Sequence, residues 1–413
     1  MEPMSRQKVL AHACFLLVVL LSILALLPRG TSDIAVWRYW AQTSQEQGFR
    51  SAYNNPAVLI DQPPLGIFML SALPRVLEPL GIPAYRWEAP GLSGFKVTTL
   101  LFLWVSALIT LAMTRSLPLS AALLLALLLN VVLGYFDLYF VPTLLLGLWA
   151  LRARRWCWAS LFLTLTCLIK WQPLLLLPFA IPCLFDEHPD TPFPRRALVS
   201  LLLPGAVLAG AFVVFCGPGM LRALHLAATH RFLSGNALNF NWLLTCGLHL
   251  VHPAKYGPLG ADGLCSAIKV TEWRVIALPK LLFLTAYLAL WLLSLKKSRH
   301  FHECLAAALL AFLAYFTFNT GVHENHLVPA LLLAFLLFRE NTRTWPLLLA
   351  LALLANLNLF LFYGLTGDGP PSLRLLGVDT TLPAAALEVL LFLAAFFRFI
   401  RTPSHPASHH HAS

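Results

Sequence analysis

Charge is scarce in this chain. Of 413 residues only 11% are Asp, Glu, Lys or Arg while 59% are hydrophobic, and the mean hydropathy is +0.74. So little polar material cannot clothe one water-facing core, which excludes a soluble globular domain and leaves a polytopic membrane protein. Acidic residues are scarcest, 18 against 29 Lys and Arg, for a formal net charge of +11. The basic residues sit in short clusters between apolar runs rather than along one face, which fits membrane topology better than a nucleic-acid groove. Cysteine is too sparse for a disulfide framework. Positions 14, 157, 167, 183, 216 and 304 lie in or beside apolar runs, where Cys acts as a small hydrophobe. Only Cys246 and Cys265 share a polar loop, and the sequence alone weighs against a bond between them. Internal repeats and heptads are absent, and low complexity goes no further than leucine richness, so solenoids and coiled coils fall away.

What is present is a series of apolar runs near 9–27, 97–114, 119–134, 138–151, 156–183, 197–215, 273–295, 301–318, 327–338, 344–362 and 383–400. The first is too long for a signal-peptide core and lacks a small-x-small cleavage site, so it reads as a retained span. If each run crosses once with Arg6 and Lys8 cytoplasmic, Lys296, Lys297 and Arg299 fall outside, against the positive-inside rule. The run 156–183 holds the remedy. At 28 residues it is too long for one span and is broken by "KWQP", so two short segments meeting at 170–173 would cross and return. Arg195, Arg196, Lys296, Lys297, Arg299, Arg339, Arg343, Arg398 and Arg401 then all lie inside. The competing arrangement is a single tilted helix with Lys170 buried, which requires a partner for its charge.

The expected architecture is therefore a single all-α membrane domain over 1–413 with twelve membrane segments, some short or re-entrant, and both termini cytoplasmic. Two long segments, 28–96 and 217–272, face the other side, as do short loops near 135, 170, 323 and 370. The stretch "QPPLGIFMLSALPRVL" predicts a short amphipathic helix lying along the membrane surface. The tail 402–413, "TPSHPASHHHAS", is expected to be a disordered cytoplasmic end whose histidines hold no metal.

The unusual polar residues collect on the outer face. Asp33, Arg38 and Trp40 follow the first span within two helical turns. Asp33 either caps a surface helix or projects into a cleft with Trp40 at the interface. Asp61 in "LIDQPPL" either starts a turn or carries chemistry. Asp137 in "YFDLYF" marks a loop tip or a functional lining. Lys170 and Gln172, at a break between half-helices, are placed to meet an anionic headgroup. "RFLSGNALNFNWLLT" gathers Arg231, Asn236, Asn239, Asn241 and Trp242, a set suited either to turns or to a sugar. In "FNTGVHENHLVPA", His323, Glu324 and His326 do not have the H-E-x-x-H zinc spacing, and hydrogen bonding to a phosphate fits them better.

In order, these pieces resemble a family: the glucosyltransferases of N-glycan assembly that use dolichyl-phosphate-glucose. Those enzymes carry an acidic residue after the first span, then Arg five positions on and x-Trp, as Asp33, Arg38 and Trp40 do here. Their D-Y-P-P-L is matched by Asp61, Gln62, Pro63, Pro64 and Leu65, with Gln for Tyr. Their A-N-F-W is loosely matched by 238–242, and their V-H-E-K by Val322, His323, Glu324 and Asn325, with Asn for Lys. The chain is also similar to bacterial homologues of the second GPI mannosyltransferase.

The resemblance implies the GT-C fold, a polyprenyl-phosphate-hexose donor carrying glucose or mannose, a lipid-linked or cell-envelope acceptor, and inversion without a metal. It places the general base at Asp33, with Asp61 as the other candidate. Donor phosphate would fall to Lys170, Arg231, His323 and His326. Sugar and acceptor would fall to Arg38, Trp40, Asp137, Asn236, Asn239, Trp242 and Glu324. The implied location is the bacterial inner membrane, with the site on the extracytoplasmic face. The competing function is a multi-pass transporter or lipid flippase without transferase chemistry, for which broken spans are equally natural.

Overall fold

All eleven apolar runs are helical. The computed structural model describes residues 6–185, 195–260, 263–297, 300–367, 369, 374–375 and 378–401; the tail 402–413 lies outside them. In chain order the helices are α1 (Arg6–Ser22), α2 (Asp33–Glu46), α3 (Phe49–Asn54), α4 (Pro64–Ala72), α5 (Gly94–Thr114), α6 (Leu117–Leu133), α7 (Val141–Arg152), α8 (Trp156–Ile169), α9 (Arg195–Cys216), α10 (Pro218–Ala228), α11 (Phe240–Val251), α12 (Pro253–Tyr256), α13 (Trp273–Lys297), α14 (Phe301–Phe318), α15 (Val328–Glu340), α16 (Trp345–Tyr363) and α17 (Thr381–Arg401). Among the described residues seven helices are long and apolar enough to cross a membrane. Shorter apolar helices cover Leu117–Leu133, Trp156–Ile169, Gln172–Leu184 and Phe240–Val251.

Local chemistry sets the boundaries. Proline in the first turn starts α6, α7, α10, α15 and α16, where a missing amide hydrogen is no loss. Ser93 caps α5, so that helix begins at Gly94, three residues before its apolar run, and takes Lys96 into its first turn. There the buried ammonium donates to the carbonyls of Pro28 and Val132, tying α5 to the end of the first span and to α6. The break expected at 170–173 is present. α8 stops at Ile169, Lys170 is extended at φ −146° and ψ 140°, and tighter 3-10 turns run over Gln172–Ala180 and Pro182–Phe185. Pro173 offers no amide to continue the α-helical ladder.

Among the described residues six connections gather at one end of the helices: 27–33, 134–140, 170–172, 217–260 with 263–272, 319–327, and 364–367 with 378–380. They are stitched together by hydrogen bonds. Gly30 donates to Thr366, Thr31 to Leu133, and Gly321 to Phe232, at 2.8–2.9 Å. The Trp171 indole donates to the Asp61 carbonyl at 3.0 Å. Two-residue strands β1 (Ser234–Gly235) and β2 (Val322–His323) pair in parallel and join the 217–272 segment to the loop after α14. A second pair, β3 (Arg374–Leu375) and β4 (Val378–Asp379), is antiparallel. At the other end Arg152 closing α7 meets Glu340 closing α15, at 2.9 Å.

The helices divide into a covered centre and an apolar shell. α14 and α15 are almost wholly buried, whereas α1, α9 and α13 turn Leu20, Leu203, Val207, Leu281 and Leu292 outward. A continuous exposed apolar surface of this kind is satisfied by hydrocarbon. The expected surface helix after the double proline is α4, continued by a 3-10 stretch over Leu73–Leu80. Cys246 and Cys265, for which the sequence did not argue a bond, are joined by a disulfide, because α11 folds back against the chain that follows it.

α4 reaches the break through Gly66. A Cβ there would lie 2.3 Å from the Ile169 carbonyl oxygen. Helix propensity alone favours alanine by about 1 kcal/mol, but overlap with fixed backbone costs roughly 1–3 kcal/mol or more. The overlap wins. Gly66→Ala is expected to lower the thermal unfolding midpoint in detergent, while Gly247→Ala in α11, where a Cβ meets nothing within 4 Å, is expected to hold or raise it. Equal shifts in the two variants would contradict this packing.

Candidate functional site

A cavity of about 330 Å³ opens among the six connections. Its wall includes Asp33, Trp37, Trp40, Asp61, Gln62, Lys170, His230, Phe232, Asn236, His323, Glu324, Asn325, His326 and Tyr363. Six segments far apart in sequence therefore meet in one space.

Asp33 begins α2, but Ser32 occupies the cap position and neither makes a side-chain capping bond. The carboxyl is half-buried on the cavity wall. Burial pushes its pKa up to about 6; Asp137 and Asp61 push the same way, and Lys170 opposes them. A carboxylate shifted this way is a stronger base than an ordinary aspartate. Trp37 and Trp40, one helical turn apart, bury their rings beside it with centroids 5.3 Å apart. Trp40 is thus a wall of the cavity, not a surface anchor. Arg38 points away to Glu88, 2.5 Å distant on the exposed side. Asp61 accepts from its neighbour Gln62 at 2.9 Å and keeps its place on the wall.

Lys170 is buried at the break, with Nζ 3.1 Å from Asp137 Oδ2 and 4.3 Å from the centre of the Phe136 ring. Asn325 donates to the same oxygen at 2.7 Å. Asp137 is engaged by these two and is not on the cavity wall. The expected role of Asp137 at a sugar is therefore replaced by one of holding Lys170. Lys170 is the one Lys or Arg among the lining residues.

His323 and His326 face the cavity from the loop after α14. The amide of His323 donates to His326 Nδ1 at 3.2 Å, and His326 Nε2 lies 2.7 Å from the Gln172 amide nitrogen, so both ring nitrogens already face protein groups. Burial and neighbouring cationic groups hold both imidazoles below the usual histidine range. They are neutral hydrogen-bonding groups rather than fixed cations. Gly235 makes room for them, since a Cβ there would stand 2.6 Å from His323 Nδ1. Between them Glu324 is buried. Tyr135 donates to its Oε1, and Oε2 has no hydrogen-bond partner. Burial, then Asp33, pushes its pKa up to about 8. At neutral pH Glu324 is thus a protonated acid able to donate as well as accept.

The second long segment behaves differently from its sequence reading. Arg231 is exposed and outside the cavity; its neighbours His230 and Phe232 take the wall, with the His230 ring centroid 5.0 Å from that of His323. Asn236 lines the cavity in a left-handed conformation, φ 60°, and donates to the Tyr363 hydroxyl at 3.1 Å. Asn239 is instead the N-cap of α11, accepting from Trp242 at 3.0 Å and donating to the Phe316 carbonyl at 2.8 Å. Trp242 is buried, donating from Nε1 to Thr381 at 2.7 Å. Asn241 donates to Phe318 and Asn319. This trio fastens α11 to α14 and α17 and does not reach a ligand.

The sequence reading passed over His230, Tyr135 and Tyr363. His230 directly precedes the arginine that was chosen; an aromatic at a helix end gives no signal beyond a membrane-interface belt. Among the described residues no three His, Cys, Asp or Glu side chains are grouped as a metal site requires. Neither protein-family models nor curated proteins yield a match to the chain.

The pairing of Lys170 with Asp137 generates a stability test. Removing one partner strands the other charge in the interior, which costs about 3–5 kcal/mol, whereas replacing both by apolar groups is often near neutral. Lys170→Met is expected to lower the unfolding midpoint markedly, and Lys170→Met combined with Asp137→Leu to recover most of the loss. A double variant as unstable as the sum of the two singles would show that the charges do not depend on each other.

Proposed function

We propose that the chain is an integral membrane hexosyltransferase of the GT-C kind. In this reading it moves glucose or mannose from a polyprenyl-phosphate donor to a lipid-linked or envelope acceptor. The observation that carries the reading is the meeting of Asp33, Asp61, His323 and Glu324 in one cavity beside a buried lysine. They come from three of the four ordered motifs. The fourth contributes Asn236 just ahead of its matched residues, while Asn239 and Trp242 serve the scaffold.

Asp33 takes the proton of the acceptor hydroxyl as that oxygen attacks the anomeric carbon. The bond from that carbon to the phosphate oxygen breaks, polyprenyl phosphate leaves, and the configuration inverts. A sugar hydroxyl is a weak nucleophile at neutral pH, so a carboxylate with a pKa near 6 supplies what the attack lacks. The leaving phosphate is met by Lys170 and by N–H groups of His323 and His230, with His326 behind them tied to Gln172 and to the His323 amide. Where the resembling enzymes have lysine, Asn325 stands here, and Lys170 brings a cation to the same Asp137 oxygen. Glu324, Asn236 and Tyr363 offer donors and acceptors for the hexose. The position of the cavity at the helix ends favours this reading over a transporter, whose substrate site lies near the middle of its spans.

In the same reading the chain has twelve membrane segments, with Arg152, Arg339, Arg343, Arg398 and both termini on the cytoplasmic side; the gathering of the connections at the cavity end supports it. With native cysteines removed, a cysteine replacing Arg38 is expected to react with an impermeant thiol reagent in sealed cells, and one replacing Arg343 only after permeabilisation. The reverse pattern would overturn the topology.

The catalytic test uses purified protein and a polyprenyl-phosphate-hexose. Asp33→Asn is expected to lower turnover by about 10²–10⁴-fold while leaving donor binding nearly intact. Because the base works deprotonated, wild-type kcat/KM should drop about tenfold per unit below pH 6 and be level from there to about pH 8, above which Glu324 loses the proton it donates. Near-normal turnover in Asp33→Asn, with loss in Asp61→Asn, would move the role to Asp61.

A further inference from the structure

A second cavity, of about 520 Å³, lies at the opposite end of the helices from the first. Its wall comes from the start of α14, the end of α15, the start of α16 and the last three turns of α17. The catalytic-side residues Glu324 and Tyr363 lie at the other ends of these helices. The inner surface is apolar, formed by Ala306, Leu309, Leu310, Leu337, Leu347 and Leu391. The rim is not. Arg343, in the 3-10 turn Thr342–Thr344, and Arg398, on α17, both line it.

We infer that this groove binds one anionic glycerophospholipid, with an acyl chain against the leucines and the phosphate between Arg343 and Arg398. Depth argues for a lipid. From His302 at the rim to Leu310 is eight residues of α14, about 12 Å at 1.5 Å per residue, against roughly 15 Å for half of a hydrocarbon core. Charge argues for an anionic one. Arg343 and Arg398 belong to different elements yet stand at one rim, with Arg339 and Arg401 near the same end, and Glu303, the one carboxylate on this wall, accepts from the His300 amide at 3.3 Å, so basic groups outnumber acidic ones. A hydrocarbon chain carrying one negative charge at its end matches both features; a free anion matches only the rim.

Such a lipid would wedge α17 against α14 and α16. It would thereby brace the two helices that carry Tyr363 and Thr381 into the catalytic end. The site lies outside the groups assigned to the transfer reaction, so it stands or falls separately from that reading.

The test is native mass spectrometry of the full chain released from nanodiscs holding equal phosphatidylglycerol and phosphatidylcholine. Wild type is expected to retain one phosphatidylglycerol in preference to phosphatidylcholine. Arg343→Gln and Arg398→Gln should each reduce that preference about fivefold, the effect of one arginine beside an anionic lipid. Ala306→Trp, which fills the groove, should lose lipid of either headgroup; if it fails to fold, the two arginine variants decide. Equal retention of both lipids, unchanged by either arginine variant, would overturn the proposal. So would a dimer mass that Ala306→Trp abolishes, which would give the groove to a second copy of the chain.

Discussion

Lys170 sits where an apolar run breaks, with its ammonium buried against Asp137 and Asn325. A buried lysine is tolerated only with a partner, and the partner here belongs to a different connection, between α6 and α7. Bringing the two together fixes the end of α8 beside the loop that precedes α7, and Asn325 adds the loop after α14. Three of the six connections are thereby held in register by one carboxylate. Trp171, next in the chain, ties in the segment before α4 through its bond to the Asp61 carbonyl. The cavity is a consequence: once the connections are gathered around the pair, the side chains beside it, Asp33, His323, Glu324 and His326, have a common space to face.

The same arrangement explains why charge could be so rare in the sequence and still be organised. The carboxyls near the cavity are in each other's field and largely out of water, so burial lifts Asp33 toward neutrality and Glu324 beyond it. The histidines are driven the other way and remain uncharged. The result is a site with few full charges at rest but many groups that can give or take a proton, suited to a ligand that brings its own negative charge.

The helices were legible because apolar runs, capping serines and first-turn prolines act locally. The break at Lys170 was legible too, since a lysine followed by a proline interrupts both the hydrophobic run and the backbone ladder. What the chain did not disclose was the direction of side chains in the long polar segments. Arg231 faces outward while His230 and Phe232 on either side of it line the cavity, in a stretch held by antiparallel bonds to 268–270, a tertiary pairing that the sequence does not display. Asn239 and Trp242 have the composition of a sugar site, yet their polar atoms are taken up by the α11 cap and by Thr381. The disulfide between Cys246 and Cys265 likewise depends on a tertiary fold-back that spacing alone does not reveal.

The central claim is that one hydroxyl, activated by one carboxylate, displaces a lipid phosphate from a sugar. It is tested most directly by following the anomeric proton of the transferred hexose by NMR, from a donor of defined configuration, together with the lipid released. The account predicts inverted configuration and one equivalent of polyprenyl phosphate per hexose transferred. Retained configuration, or donor moved or consumed without release of polyprenyl phosphate, would contradict it.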